Sequence, residues 1–310
     1  EPEMTGRRPQ VLVLGGSGLV GSRFVELTGE RFDLEAPPHA ALDVLDGHAL
    51  ATFLRASPAE VVLNATARAD VDSSEAERGD LGGSVYRMNA LVPGQLAELC
   101  GATGKHLVHL STDYVFDGKQ ENRPYVETDP PNPLSWYAET KHQGELRVQA
   151  SGLGASVVRV EMPFSPVGHH KLDFARLCAS RLRTATEVVA VEDQRVTPVF
   201  LDDCVEALAR IIERRPPGLM HVASADWTTP FDFARRIASE LSLDHRLIRR
   251  ERFERFATFR PAPRPRHSWL DIHGFEQALG REVLRPVEDQ VRTWAARLAW
   301  RTHTSTGDRR

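Results

Sequence analysis

The sequence predicts an α/β fold, a doubly wound parallel sheet carrying a smaller C-terminal lobe. Short, mostly apolar runs recur at residues 11–14, 61–63, 107–110, 157–160 and 188–191, the pattern of strands covered on both faces. Helical periodicities lie between most of them, such as 91–99, entered near Pro93, and 199–212; alternating strand and helix builds a parallel sheet. After about Glu161 the pattern changes, with 162–170 rich in Pro, Gly and His and reading as a loop.

The elements follow in order. The run 11–14 leads into Gly15, Gly18 and Gly21, after which Val20, Phe24 and Leu27 recur at helical spacing until about Gly29. A glycine turn between a strand and a helix is what a dinucleotide needs: a tight turn, close backbone approach to the pyrophosphate, and free N–H groups at the helix start. Gly15, Ser17, Gly18, Leu19 and Val20 are its expected contacts. The second strand ends around 32–36, where Glu35 would hold a ribose 2′-hydroxyl and favour NAD. If it runs on through 37–39, His39 becomes a partner for a 2′-phosphate; NADPH is then the expected cofactor, with NADH still possible. Asp43 and Val44 fall where the adenine amino group can meet a carboxylate, and Asn64, Ala65 and Thr66 follow the third run.

The run 107–110 ends in Ser111, Thr112 and Asp113, and Tyr137 and Lys141 stand four residues apart farther on. On a helix that spacing puts phenol and amine on one face, one turn apart. A hydroxyl at a strand end opposite such a pair can polarise a carbonyl and give it a proton. A free phenol titrates near about 10, so the ammonium is expected to lower it.

Farther on, Thr229 and Pro230 read as helix cap and first helical residue, with Phe231, Ala234, Ile237 and Leu241 facing inward. Residues 249–266, crowded with Arg, Glu and Pro, read as loop, and 287–300 as a closing amphipathic helix. The expected division is 8–161 plus about 187–222 for the dinucleotide domain, about 162–186 plus 223–300 for the substrate lobe, and 301–310 as a frayed tail.

Composition narrows the class. With 310 residues and ordinary apolar content the chain can bury a large core, and a formal charge of −4 argues against a nucleic-acid binder. Three widely spaced cysteines form neither a disulfide framework nor a metal site. No apolar run approaches the about 20 residues of a membrane span, and residues 1–9 lack a signal-peptide core, so a cytoplasmic protein without bound metal is expected.

The glycine motif, Asn64-Ala-Thr-Ala67, Asn89, Ser111-Thr-Asp-Tyr-Val-Phe-Asp-Gly118 and the Tyr137/Lys141 pair occur in the order seen in extended short-chain dehydrogenase/reductases. Within that Rossmann-type group the chain most resembles the dTDP-4-dehydrorhamnose reductase family, also through Pro124-Tyr125, Lys141 to Glu145, Asp193-Gln194 and Arg264 to Asp271. The resemblance implies reduction of an NDP-4-keto-6-deoxysugar. Tyr137 would be the proton donor, Lys141 the ribose contact, Thr112 the hydrogen bond to the reacting oxygen, and Asn89 a further cofactor contact. It implies a nucleotide-sugar partner, a possible homodimer, and substrate contacts among Arg68, Asp113, Tyr114, Val115, Phe116, Glu161 and Arg264, the last as diphosphate clamp. The family usually carries Arg-Thr-x-Trp where this chain has Arg159-Val-Glu-Met, so the sugar pocket is expected to differ. Two alternatives stand beside this reading. One is a reductase or epimerase of another nucleotide sugar. The other is a non-catalytic NADP-binding subunit resembling the regulatory subunit of methionine adenosyltransferase, to which Arg68 and Asp70 are similar.

Overall fold

The computed structural model describes residues 7–152, 154–168 and 172–304. The chain runs β1 (Gln10–Leu14), α1 (Leu19–Thr28), β2 (Asp33–Glu35), α2 (Gly47–Ala56), β3 (Val61–Asn64), α3 (Val71–Ser74), α4 (Ser84–Tyr86), α5 (Val92–Ala102) and β4 (His106–Thr112). There follow α6 (Trp136–Ala150), β5 (Ser156–Val160), α7 (Phe174–Arg183), β6 (Val188–Val191), α8 (Leu201–Arg214), β7 (Gly218–Val222) and α9 (Pro230–Glu240). Last come β8 (Ile248–Glu251), α10 (Phe253–Thr258), α11 (His273–Leu279) and α12 (Val287–Thr304).

Six strands form one sheet in the order β2-β1-β3-β4-β5-β7. β1 pairs in parallel with β2 and β3, and β3 with β4. The order reverses between β1 and β3, and in such sheets the ligand crevice lies beyond the carboxyl ends of the strands at that reversal. Leu14 and Asn64, the last residues of β1 and β3, stand opposite each other there.

The chain divides into two compact units, 1–115 with 131–159 and 205–220, and 116–130 with 160–204 and 221–310. In the first, Leu12, Leu14, Val62, Leu107 and Val157 pack with Leu50, Leu54 and Leu96 of the helices. The alternate positions Val11, Val13, Leu63, Val108 and Val158 are equally buried, so both faces of the sheet are covered. In the second, Phe164 meets Phe200, Phe233 and Trp294 at ring separations of 5.7, 5.1 and 6.3 Å. Thr229 caps α9, its hydroxyl accepting from the Asp232 N–H at 3.0 Å, and Phe231, Ala234 and Ile237 are buried as the periodicity predicts.

Several expectations need correction. Residues 249–266 are not a plain loop, for they contain most of β8 and all of α10. β8 pairs in parallel with β6 in a sheet of their own, so the run 188–191 is not a strand of the main sheet. The sequence hid β8 because Arg249 and Arg250 point outward to Glu187 and Glu192, and only Ile248 is buried. The second unit also takes in 116–130 and 187–204, which sequence pattern alone assigns to the first. α12 continues to Thr304, so 301–304 are helical rather than tail; 305–310, and 169–170 of the loop after β5, lie outside the described residues. Cys100, Cys178 and Cys204 are free and buried, and burial pushes each thiol up to about 12. Among the described residues no helix is long and apolar enough to cross a membrane, and no cluster of His, Cys, Asp and Glu is arranged to hold a metal.

Candidate active site

The glycine turn is dictated by close approach. Gly15 has φ 82°, a left-handed backbone that suits glycine, and a Cβ there would lie 2.8 Å from the Ala65 carbonyl. A Cβ on Gly21 would lie 2.2 Å from the Gly15 oxygen, so only glycine lets α1 spring so tightly from the turn. The helix starts at Gly18 with no side-chain cap and no acidic residue in its first turn. A dinucleotide pyrophosphate fits such an end, since the first-turn N–H groups and the helix dipole both favour an anion. Leu19 and Val20 form that first turn, and Ser17 is exposed just before it.

At the adenosine end β2 stops at Glu35, and the Glu35 carboxylate accepts a hydrogen bond from the Ser57 hydroxyl at 2.6 Å. The strand does not reach His39, which stands exposed in a turn beyond it. Asp43 caps its own turn, accepting from the Leu45 N–H at 2.9 Å, and Val44 packs into the core of the unit.

Asn64 and Asn89 are fully buried, and their amides are engaged within the protein. The Asn64 oxygen accepts from the Thr66 N–H and hydroxyl at 3.1 and 2.6 Å, while its nitrogen lies 3.1 Å from Nδ1 of His109. Asn89 accepts from the Arg68 N–H at 2.9 Å and donates to the Arg68 carbonyl and the Thr140 hydroxyl at 3.1 Å. Two buried amides therefore hold the 65–68 loop that presses on Gly15, leaving Arg68 exposed. Asn89 lies in a π-turn, Arg87–Leu91, before α5; such a wide turn often marks a functional segment.

Tyr137, Lys141 and Glu145 recur every four residues along α6, on one face. Lys141 is 2% exposed, and its ammonium donates to the Leu110 carbonyl of β4 at 2.6 Å. Burial lowers its pKa to about 8, with Glu145 resisting the change. Burial raises the Tyr137 phenol to about 12, a hydrogen bond with Thr112 pulling it back and Asp113 pushing it up. Lys141, expected to lower it, is not among the groups that act on the phenol, whose direction is set first by burial. Thr112 donates to the Asp113 carboxylate at 3.0 Å and accepts from the Tyr114 N–H at 3.2 Å. Tyr114 meets Tyr137 edge to face, with centroids 6.3 Å apart.

Beneath this row lies an ion pair that sequence reasoning did not single out. Arg159 of β5 grips Glu145 through Nε and Nη2 at 2.9 and 2.7 Å, both side chains being 1% exposed. Burial would raise the Glu145 carboxyl, but Arg159 and His142 bring it down to about 2. The four-residue repeat extending from Tyr137 past Lys141 to Glu145 was the signal available.

The other expected substrate residues are placed differently. Val115 and Phe116 are fully buried, Phe116 stacking on Tyr125 at 4.2 Å, so neither side chain is presented to a ligand. Arg264 donates to the Ala262 carbonyl at 2.9 Å in the second unit. Glu161, also in the second unit, is 1% exposed. It accepts from the Thr197 N–H at 2.9 Å, from the Thr197 hydroxyl, and from the Ser268 hydroxyl at 2.7 Å. All three donors are neutral, and burial raises its pKa to about 7. Native Glu161 thus keeps its proton where the unfolded chain has lost it, so stability is full below the ordinary value of 4.5 and falls as pH rises through about 7. Thermal melts of wild type and Glu161→Gln between about pH 5 and 8 should show the decline in the wild type alone. Equal slopes would remove Glu161 as its source.

The model of the RmlD substrate binding domain matches residues 9–299. The chain belongs to this family. It is 30% identical to the dTDP-4-dehydrorhamnose reductase of Mycobacterium tuberculosis over 312 residues, covering 99% of this chain and 98% of that protein. The crystal structure of a Clostridium acetobutylicum dTDP-4-dehydrorhamnose reductase superposes with a TM-score of 0.84 at 27% identity, covering 94% and 99% of the two chains. That of the Bacillus anthracis reductase, in complex with NADP, also gives 0.84, at 24% identity over 93% and 98%, a likeness of fold. Motif order and family membership thus agree over nearly the whole chain.

Proposed function

We propose that the protein is an NADPH-dependent reductase of the C4 keto group of a nucleotide-linked 4-keto-6-deoxysugar. The observation that carries this is the row of Tyr137 and Lys141 on α6 against the end of β4, in the unit that also holds the glycine turn. When bound, the dinucleotide supplies the hydride. Backbone N–H groups of 17–20 would hold its pyrophosphate, and Lys141 would hold the nicotinamide ribose. β2 ends at Glu35, whose carboxylate suits a ribose 2′-hydroxyl, while the exposed His39 beyond it can meet a 2′-phosphate; the NADPH and NADH arms of the assay separate the two.

Tyr137 delivers the proton to the oxygen that becomes the new hydroxyl. A phenol held at about 12 keeps its proton throughout the neutral range, which suits an acid in the reductive direction. Thr112 turns its hydroxyl from Asp113 to the substrate carbonyl and fixes the reacting carbon at near-attack distance. Arg68, Asp113 and Tyr114 are the sugar contacts available on this unit.

The test is oxidation of NADPH and of NADH with a panel of dTDP- and GDP-linked 4-keto-6-deoxysugars. Turnover of at least one sugar with NADPH is expected, and none with any would overturn the reading. Lys141 is cationic below about 8 and neutral above it. kcat/KM is therefore expected to fall as pH rises through that value, and a flat profile to pH 9 would take the ammonium out of the mechanism.

A further inference from the structure

Most cations of the second unit are tied to oxygens. Arg266 reaches Asp193 at 2.8 Å and Glu254 at 3.2 Å, Arg252 reaches Asp193 at 3.3 Å, and Arg285 grips Asp203. Arg195 is different. Its guanidinium is half-buried and has no hydrogen-bond acceptor or carboxylate among the described residues. It lies instead over two indoles, 5.0 Å from the ring centre of Trp227 and 4.9 Å from that of Trp269.

The group is rigidly presented. The Arg195 N–H donates to Nδ1 of His267 at 3.2 Å, and its carbonyl accepts from the Ser268 N–H at 3.2 Å. Ser268 is itself fixed by the buried Glu161, and the Trp269 indole N–H is held by the Gln120 carbonyl at 2.9 Å. Trp227 is 46% exposed and lines a cavity of about 560 Å³ together with Arg235, a second guanidinium with no oxygen partner among the described residues, and Asp232, whose carboxylate accepts from Thr229. The two indole planes stand 75° apart, so the guanidinium can lie flat on at most one of them; neither ring takes up its N–H groups as an oxygen would, and a guanidinium matches phosphate oxygens two at a time. The Arg195 nitrogens are not among the buried polar atoms left without a partner, so they reach solvent and an anion can take the place of water there.

We propose that Arg195, held over Trp227 and Trp269, is a specificity-determining contact for the phosphates of the nucleotide carried by the substrate. This rests on the nucleotide-sugar reading above and moves phosphate recognition from Arg264 to a residue outside the glycine turn. Trp227 then flanks the bound nucleotide and reports its arrival.

The test is binding of dTDP, UDP and GDP to the full chain, without turnover, followed by tryptophan fluorescence and calorimetry. Wild type is expected to bind at least one of them with a change in indole emission. Arg195→Gln should weaken that binding by tenfold or more, and Arg195→Lys by less. The affinity of thymidine, which has no phosphate, and that of NADPH should not change, and KM for the keto sugar should rise more than kcat falls. The melting temperature checks the fold, and Arg195→Lys, which keeps the cation over the rings, serves if the glutamine variant is destabilised. Diphosphate binding unchanged in both variants would overturn the proposal while leaving the reductase reading intact. If wild type turns over a keto sugar yet thymidine and dTDP lose affinity equally in the variants, Arg195 is structural. A wild type that neither binds a nucleoside diphosphate nor reduces any keto sugar would remove both.

Discussion

Tyr137→Phe is expected to cut kcat by about 10²–10⁴, the range for removing a positioned acid, while NADPH affinity stays within a few-fold. The substitution takes away only the hydroxyl. The ring still packs against Tyr114, and Lys141 still rests on the Leu110 carbonyl. The loss should fall on kcat and kcat/KM alike, because the proton is transferred only in the transition state. Steady-state kinetics with NADPH titrated by fluorescence checks it, and turnover within twofold of wild type would take Tyr137 out of the chemistry.

The second large effect is on stability. Arg159→Met should cost about 3–5 kcal/mol, because it takes from the buried Glu145 carboxylate the guanidinium that grips it through two bonds. Adding Glu145→Leu should recover most of it, since a buried pair and an apolar pair of similar size differ little. Chemical denaturation of the two variants and wild type measures this. The kinetics of the double variant carry separate information: with Glu145 gone, nothing resists the lowering of the Lys141 pKa by burial, so the alkaline fall of kcat/KM should start at lower pH. If Arg159→Met unfolds at the wild-type denaturant midpoint, the pair has no structural weight.

What the sequence made legible was whatever is written in spacing. The run 11–14 followed by Gly15, Gly18 and Gly21 announces a strand, a turn and a helix, because each element repeats its apolar residues at its own period. The cap at Thr229 and Pro230 and the inward Phe231, Ala234 and Ile237 are equally local. The pairing of Tyr137 with Lys141 followed from helical geometry alone. Direction was harder. Asn64 and Asn89 stand where ligand contacts are expected, and a one-dimensional pattern does not tell an amide facing a ligand from one bonded to its own backbone. Glu161 has the same ambiguity: its donors Thr197 and Ser268 arrive from distant segments. β8 escaped because its arginines face solvent and ion partners rather than a core. The upward shift of the Tyr137 phenol was invisible because it depends on burial and not on the identity of the neighbouring residues.

The three enclosed thiols have a practical consequence. Cys100 belongs to the first unit and Cys178 and Cys204 to the second, and each is protonated and shut away from reagents in the closed fold. Alkylation therefore proceeds only during excursions that expose a core. The native chain consequently carries an internal stopwatch in each half, with the rate at Cys100 timing the breathing of one and the rates at Cys178 and Cys204 that of the other, without an introduced label.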